Sequence, residues 1–223
     1  ERMDGPLTAA QEKQIGFIRQ RARGLTELVN DLLDIAKVEA GKITVRPVEF
    51  ELENLFGALR GMLRPLLVNE AVNLAFDEPE GIPPLHTDEA KISQILRNFI
   101  SNALKFTERG EVRVSARLAR DGAAVEFSVA DTGIGIAPED RERIFQEFTQ
   151  IEHPLQRSVK GTGLGLPLCR RLGELLGGQV SVASEPGVGS TFSAIVPRIY
   201  QGPVEVAHVL AGTTQLDPRR PAL

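Results

Sequence analysis

The first forty residues carry apolar side chains at the spacing of one long amphipathic helix. From about Thr8 to Ala40 the apolar positions step alternately by three and four residues, which is a heptad repeat. The positions of this seam are Ile15, Ile18, Ala22, Leu25, Val29, Leu32 and Ala36. Three further positions widen the apolar face, Leu28, Leu33 and Ile35. The pattern favours a helix in a bundle or dimer interface, and the alternative is a helix that packs on its own domain.

Beyond Gly41, which is a natural helix stop, the pattern changes to short strands and helices. Strands are predicted over 43–50, 71–76, 111–118, 123–131, 179–184 and 190–196. Helices are predicted over 52–68, 88–107 and 164–176, the first with Leu55, Leu59, Met62 and Leu63 pointing inward. Asp88 is a plausible N-cap, and Asp121-Gly122 is a hairpin turn between alternating strands. This order predicts an α/β (α+β) two-layer sandwich, with a mixed, mostly antiparallel sheet and the helices on one face.

Composition and charge narrow the class of protein. Hydrophobic residues make up 42% of the 223 residues and charged residues 25%, as in a globular protein with a sizeable core. The net charge of −4 argues against nucleic acid as the main partner. Cys169 is the only cysteine, which excludes an intramolecular disulfide and fits a reducing compartment. Without a long apolar run or a signal-peptide pattern, we expect a cytoplasmic chain that makes no membrane contact of its own.

A polar stripe runs along the predicted helix 88–107. Asn98, Asn102 and Lys105 share one face, while the apolar positions share another. Taken alone, such a stripe is more often solvated surface. The functional interpretation is that amide oxygens suit a hard cation such as Mg²⁺, while the amine suits phosphate oxygens.

Asp131 follows the apolar face of the preceding strand, formed by Val125, Phe127 and Val129. A carboxylate that points into a core is costly unless hydrogen bonds compensate it. One interpretation is a turn-capping aspartate, satisfied by the backbone that follows. The other is a carboxylate that accepts a hydrogen bond from the amino group of a bound base.

A second glycine cluster follows a long aperiodic connection. Residues 149–160 have the length of a lid, and Lys160-Gly-Thr-Gly-Leu-Gly165 then runs directly into a helix. Glycines permit close backbone approach, and free amides at a helix start favour an anion. A dinucleotide fingerprint fails because Leu166 stands where it needs glycine or alanine, and a P-loop at Gly41-Lys42 fails because Ala36 and Ile43 occupy required positions.

The order of these motifs resembles the sensor histidine kinases of two-component systems. The segment Asn98-Phe-Ile-Ser-Asn102-Ala-Leu-Lys105-Phe-Thr resembles their N box, and Asp131-Thr-Gly-Ile-Gly-Ile136 their G1 box. Phe145-Gln-Glu-Phe148 resembles their F box, and Gly161-Thr-Gly-Leu-Gly-Leu166 their G2 box. The resemblance covers nearly the whole chain up to Pro197. It implies a Bergerat-type ATP-binding fold, preceded by the second helix of a dimerisation and histidine-phosphotransfer domain.

The resemblance also implies roles for individual residues. Asp131 would accept from the adenine amino group, with Phe106 beside the base and Asn102 as the Mg²⁺ ligand. Asn98 and Lys105 would line the phosphate side. The further ATP-binding candidates are Gly133, Gly135, Ile136, Phe148, Lys160, Gly161, Thr162, Gly163, Leu164, Gly165, Leu166 and Thr191. The implied cofactors are ATP and Mg²⁺, and the implied partners are a response-regulator receiver domain and a second copy of the chain through the long helix.

The sequence departs from this family at the phosphoacceptor. No His-Glu-Leu-Arg-Thr-Pro-type box occurs, and the histidines are His86, His153 and His208. No catalytic residue is therefore identified, and the simplest explanation is a segment cut from a longer kinase. The expected division is 1–41 for the bundle helix, 42–197 for the catalytic domain and 198–223 for a linker or frayed tail. The alternatives are a slow ATPase of the gyrase and chaperone type, and a degenerate nucleotide-responsive interaction module.

Overall fold

The computed structural model describes residues 7–42, 44–64, 67, 69–151 and 162–202. The helices are α1 (Ala9–Glu39), α2 (Leu52–Leu63), α3 (Glu89–Phe106) and α4 (Gly165–Leu175). The strands are β1 (Val48–Phe50), β2 (Val72–Phe76), β3 (Leu85–Thr87), β4 (Gly110–Leu118), β5 (Ala124–Asp131), β6 (Gln179–Glu185) and β7 (Gly189–Pro197).

The main sheet of the described chain has five strands in the order β2-β4-β5-β7-β6. β2 pairs with β4 in parallel, and every other neighbouring pair is antiparallel. β1 and β3 form a separate antiparallel pair. The predicted mixed, mostly antiparallel sheet is confirmed, as is the hairpin turn, where Gly122 has a φ of +69° and Asp121 accepts from the Ala123 amide.

The helices cover one face of this sheet. On α3 a continuous apolar face is buried, comprising Ile92, Ile95, Leu96, Phe99, Ile100 and Ala103. The Phe99 ring packs against Phe192 of β7, with 5.5 Å between the ring centroids. Phe127 and Val129 of β5 are buried in the same core. Each such side chain contributes about 1.5–3 kcal/mol on full burial, so this face fixes α3 across the sheet.

Asp88 caps α3 as the sequence predicts. Its carboxylate accepts from the Lys91 amide at 3.1 Å, and also from the Arg46 amide at 2.9 Å. The second bond explains why the predicted strand 43–50 shortens to β1. The chain before Val48 bonds to the helix cap instead of a neighbouring strand, and Pro47 has no amide hydrogen to donate.

The helix predicted over 52–68 ends earlier, at Leu63. Pro65 follows Arg64, and a proline has no amide hydrogen with which to continue the helical hydrogen bonds. The inward face is formed by Leu55, Leu59 and Leu63, spaced four residues apart. The prediction that Met62 points inward is wrong, since its side chain is 53% exposed.

The long helix α1 begins and ends where the heptad pattern predicts. Thr8 is its N-cap and forms a capping box with Gln11. Ile35 is buried and Leu28 packs against the core, so this face docks on the rest of the fold beside α4. Most of the heptad seam is exposed, including Leu25, Val29 and Leu32. The alternative of a helix that packs on its own domain therefore holds for the face with Ile35, while the bundle or dimer interface stays a prediction.

The first residues after β7 differ from the predicted linker or frayed tail. The Arg198 carbonyl accepts from the His86 amide, and the Tyr200 amide donates to the His86 carbonyl. Residues 198–200 thus lie along β3 as part of the domain, whereas 203–223 lie outside the described residues. The division into domains otherwise remains a prediction. No helix in the described ranges is long and apolar enough to cross a membrane.

Candidate functional site

Asp131 ends β5 and lines a cavity. Its Oδ1 atom accepts from the Gly133 amide at 2.8 Å and from the Ser190 amide at 3.3 Å. Within the described ranges no donor reaches Oδ2. Burial raises the pKa of Asp131, and the two backbone hydrogen bonds only partly oppose this effect. One carboxylate oxygen is therefore a turn cap, and the other remains available as an acceptor.

The loop after Asp131 depends on its glycines. A Cβ atom on Gly133 would overlap the carbonyl oxygen of Phe106, at the C-terminal end of α3. Gly135 has a φ of +68°, and a Cβ there would overlap the Glu185 carbonyl. Ile136, next in the loop, packs against the core. Glycine is required because the loop is pressed between α3 and the turn that joins β6 to β7.

The polar stripe of α3 lies between the two glycine clusters, since Phe106 contacts Gly133 and Asn98 contacts Gly165. Asn98, Asn102 and Lys105 are all partly buried. Lys105 Nζ lies 4.8 Å from the centroid of the Phe106 ring, and burial lowers the pKa of the amine. In the part of the chain that the structure describes, Lys105 has no carboxylate partner. A cation held in this way is suited to an anionic ligand.

The second glycine cluster lies against the same helix at Asn98, two turns before Phe106. Leu164 is fully buried, and its amide donates to Thr162 Oγ1 at 3.2 Å. α4 then begins at Gly165, where a Cβ atom would lie 2.6 Å from Asn98 Oδ1. The amides of Gly165 and Leu166 lie in the first turn, where backbone donors lack helical partners. Lys160 and Gly161 lie outside the described residues, as does most of the predicted lid.

The FQEF segment, residues 145–148, contacts both α4 and the second glycine cluster. Phe145 is buried, and the Arg170 guanidinium of α4 stacks on its ring at 3.9 Å. Phe148 has a φ of +59°, and its amide donates to the Gly163 carbonyl at 3.1 Å. Its side chain is 62% exposed. The segment thus contributes backbone to the second glycine loop, while the Phe148 ring faces outward.

A cavity of about 330 Å³ opens beside Asp131, between it and the ends of β6 and β7. Thr191 lines this cavity, as does Ser190, which reasoning from the sequence did not identify. Ser190 pairs directly with Asp131, whereas Thr191 pairs with Ala130 and points to the other side of β7. The alternation of side chains along β7 could have identified Ser190, because Ser190 lies on the same face as the buried Phe192.

The described residues contain no group of three or more His, Cys, Asp or Glu side chains that could hold a metal ion. Asn102 lies one helical turn from Asn98, and no hydrogen bond satisfies its carboxamide within the described ranges. A partly buried amide oxygen is a suitable single protein ligand for Mg²⁺ that is otherwise held by phosphates and water. The histidine within the described chain, His86, lies in β3 with an exposed side chain.

Comparison with known proteins agrees with this geometry. Residues 87–199 match the family described as histidine kinase-, DNA gyrase B-, and HSP90-like ATPase. Hybrid signal transduction histidine kinase B of Dictyostelium discoideum is 34% identical over 86% of this chain and 10% of that protein. Circadian input-output histidine kinase CikA of Synechococcus elongatus is 37% identical over 87% of this chain and 26% of that protein.

A solved structure extends the comparison to the fold. The crystal structure of full-length ShkA in complex with AMPPNP superposes with a TM-score of 0.74 at 36% identity, covering 87% of this chain and 40% of ShkA. The chain thus spans between a tenth and about a quarter of the length of the two kinases above. Because the family match includes every strand of the main sheet beyond β2, the chain belongs to the histidine kinase-, DNA gyrase B-, and HSP90-like ATPase family, as the ATP-binding domain of a sensor histidine kinase.

Proposed function

We propose that this chain binds Mg-ATP and donates its γ-phosphoryl group to a histidine that lies outside these 223 residues. One observation carries the proposal: α3 contacts both glycine clusters. Its Phe106 carbonyl packs against Gly133 at the Asp131 end, and its Asn98 carboxamide packs against Gly165 at the other end. At 1.5 Å per residue, these two positions are about 12 Å apart along the helix. An elongated ligand with chemically different ends would fit between these two positions.

The Asp131 end is proposed to hold the adenine. Oδ2 of Asp131 would accept from the exocyclic amino group, because the two backbone donors already occupy Oδ1. Gly133 and Gly135 let the loop pack against the Phe106 and Glu185 carbonyls, and their backbone is proposed to line the base. Ile136 and Phe106 are proposed to supply apolar surface. Thr191 is proposed to lie near the base, through the cavity that it lines.

The opposite end is proposed to hold the phosphates. Lys105 lies beside Phe106 at the Asp131 end of α3, and its long, positively charged side chain is proposed to reach the phosphate chain. The start of α4 supplies backbone amides at the Asn98 end. Asn98, Thr162, Gly163 and Leu164 shape this end, and Lys160 and Gly161 are proposed to wrap over it with Phe148 beside the loop. Asn102 is proposed to ligate Mg²⁺, which would neutralise phosphate charge when it is bound.

The proposed reaction depends on the positioning of the reactants and the neutralisation of phosphate charge. It depends less on a general base from this chain. The bond between the γ-phosphorus and the β,γ-bridging oxygen breaks, a bond from an imidazole nitrogen to phosphorus forms, and ADP leaves. The phosphoryl group would then pass to a receiver-domain aspartate of a response regulator. Asn98 carries an amide where ATPases of the gyrase and chaperone type carry a glutamate. An amide cannot take a proton from water, so we expect only slow hydrolysis.

The proposal extends to partners and location. The exposed heptad seam of α1 is proposed to form the dimer interface of the intact kinase, since it is apolar and unpaired within the described chain. A response-regulator receiver domain is the proposed acceptor protein, consistent with a relative that is named a hybrid signal transduction histidine kinase. The catalytic region is proposed to work in the cytoplasm.

Calorimetric titration with Mg-ATP tests the proposal directly. We expect saturable one-site binding by the chain, and loss of that binding in Asp131→Asn. A peptide that carries a phosphoacceptor helix, added in trans with labelled ATP, should become phosphorylated on histidine, giving an acid-labile and base-stable product. Absence of saturable Mg-ATP binding would refute the proposal. Fast turnover of ATP by the chain alone would favour the hydrolase instead.

A further inference from the structure

The turn between β6 and β7 encloses the glycine loop that follows Asp131. We refer to residues 184–190 as the clamp turn and to residues 132–136 as the glycine loop. The Gly187 amide donates to the Ile134 carbonyl at 2.8 Å, and the Ile136 amide donates to Ser184 Oγ at 2.8 Å. These two bonds join segments about fifty residues apart in sequence.

The hydroxyl of Ser184 is the centre of this clamp turn. It accepts from the Ile136 amide, donates to the Gly189 carbonyl at 2.8 Å, and lies 2.9 Å from Ser190 Oγ. A hydroxyl has one hydrogen to donate and two lone pairs to accept with. These three contacts therefore use its full hydrogen-bonding capacity. Arg141 also donates from its guanidinium to the Ser184 carbonyl, so the backbone is anchored as well.

The clamp turn reaches the carboxylate through Ser190. The Ser190 amide donates to Asp131 Oδ1, and the Ser190 hydroxyl bonds to Ser184. Gly189 packs so closely on the Asp131 carbonyl that a Cβ atom would overlap it. The orientation of Asp131 is thus set by the same turn that holds the glycine loop.

We propose that Ser184 is a positioning residue for the base end of the nucleotide site, holding the glycine loop and the Ser190 amide in register around Asp131. This inference rests on the proposed function, because it assumes that a base binds at Asp131. It does not require Ser184 to touch the nucleotide. Removal of the hydroxyl should free the Ile136 amide and loosen both segments that orient the carboxylate.

The sheet offers a matched control for Ser184. Ser193 of β7 bonds through its hydroxyl to Ser128 Oγ at 3.1 Å, in the same sheet and at similar partial burial. Ser193 lies on the face of β7 opposite Ser190, and so points away from Asp131. Ser184→Ala and Ser193→Ala each remove one serine hydroxyl from a strand of this sheet, but only the first disturbs the glycine loop.

The experiment measures Mg-ATP affinity by calorimetry for wild type, Ser184→Ala, Ser184→Thr and Ser193→Ala. Loss of a hydrogen bond that orients Asp131 should weaken binding about three- to tenfold in Ser184→Ala. Ser184→Thr keeps the hydroxyl and should restore wild-type affinity, and Ser193→Ala should bind as wild type. Amide hydrogen exchange should be faster at Ile136 in Ser184→Ala only. If Ser184→Ala does not fold, Ser184→Cys, with its weak sulfur acceptor, takes its place.

The outcomes separate this inference from the proposed function. If wild type binds Mg-ATP and Ser184→Ala binds equally well, the positioning role is wrong while the proposed function stands. An equal loss in Ser193→Ala, or no recovery in Ser184→Thr, would show a general stability effect and would also refute the role. If wild type itself binds no Mg-ATP, both proposals fail together.

Discussion

Gly165 and Asn98 approach each other so closely that a Cβ atom on Gly165 would lie 2.6 Å from Asn98 Oδ1. Gly165 is not among the glycines with a positive φ, so its backbone conformation would accept any residue. A side chain at this position would instead require the Asn98 carboxamide to move. The contact joins the helix with the amide stripe to the helix that follows the second glycine cluster.

Gly165→Ala should therefore stabilise the protein less than a glycine-to-alanine exchange at an open helical position, because the Asn98 carboxamide must move. In an open helical position the exchange stabilises by about 0.5–1 kcal/mol. Gly57 in α2 is such a position, since a Cβ atom added there would meet nothing within 4 Å. Urea denaturation should show a higher free energy of unfolding for Gly57→Ala than for Gly165→Ala.

A double-mutant cycle identifies the cause. If Asn98 creates the clash, Asn98→Ala combined with Gly165→Ala should recover stability relative to the sum of the single changes, because the shorter side chain leaves room for the methyl group. Purely additive effects would contradict the steric explanation.

Asp131→Asn should abolish tight ATP binding without destabilising the fold. Burial raises the pKa of Asp131 above 3.8, so the stability that this group contributes is full below 3.8 and is lost as pH rises through the folded-state pKa. At neutral pH an amide should be tolerated as well as the carboxylate or better. The amide group would present a donor to the adenine amino group, which should weaken Mg-ATP binding about 10- to 100-fold.

Thermal unfolding and Mg-ATP titration of the same Asp131→Asn sample test this expectation. A large drop in the melting temperature would mean that the carboxylate serves the fold, and loss of binding would then carry no information about the base.

Mg-ATP affinity should fall with rising pH at alkaline values below 10.5. Burial lowers the pKa of Lys105 from 10.5, and phosphate binding favours the protonated amine. Affinity should therefore decline as pH rises through the lowered pKa, and binding in that range should take up protons. Calorimetry in buffers of different ionisation enthalpy measures the uptake. Lys105→Gln should bind more weakly and show no such pH dependence.

The lowered pKa of Lys105 also leads to a prediction about the stability of the protein. Between the lowered pKa and 10.5 the unfolded chain binds more protons at Lys105 than the folded chain, so this group's contribution to the free energy of unfolding rises with pH. Lys105→Gln should remove that increment, and an unchanged slope would contradict the burial of the amine.

The two faces of α1 should respond differently to truncation. Ile35 is 3% exposed and packs on the catalytic domain, whereas Leu25 is 63% exposed on the heptad seam. Ile35→Ala should cost about 2–4 kcal/mol through the cavity it leaves, and Leu25→Ala less than about 0.5 kcal/mol. Denaturation is best measured at protein concentrations low enough to prevent self-association. Equal costs for the two variants would contradict the docking of α1.

Much of the secondary structure could be predicted from the sequence. The periodicity of α1 and α3, the N-cap Asp88 and the Asp121-Gly122 hairpin are local features that a few neighbouring residues specify. Two of the predictions were wrong because a distant partner intervened. Arg46 bonds to Asp88 instead of a strand, and residues 198–200 pair with His86 instead of fraying.

By itself the sequence determined the elements and the candidate site residues, because hydrophobic period, turn chemistry and glycine spacing act within short stretches of chain. Only the tertiary structure decided that Gly165 meets Asn98, that Ser184 and Ser190 hold Asp131, and that α1 docks by Ile35 and leaves its seam exposed. These relationships depend on strand register and on the volume between packed helices. Such quantities arise from residues far apart in the chain, and no local pattern encodes them.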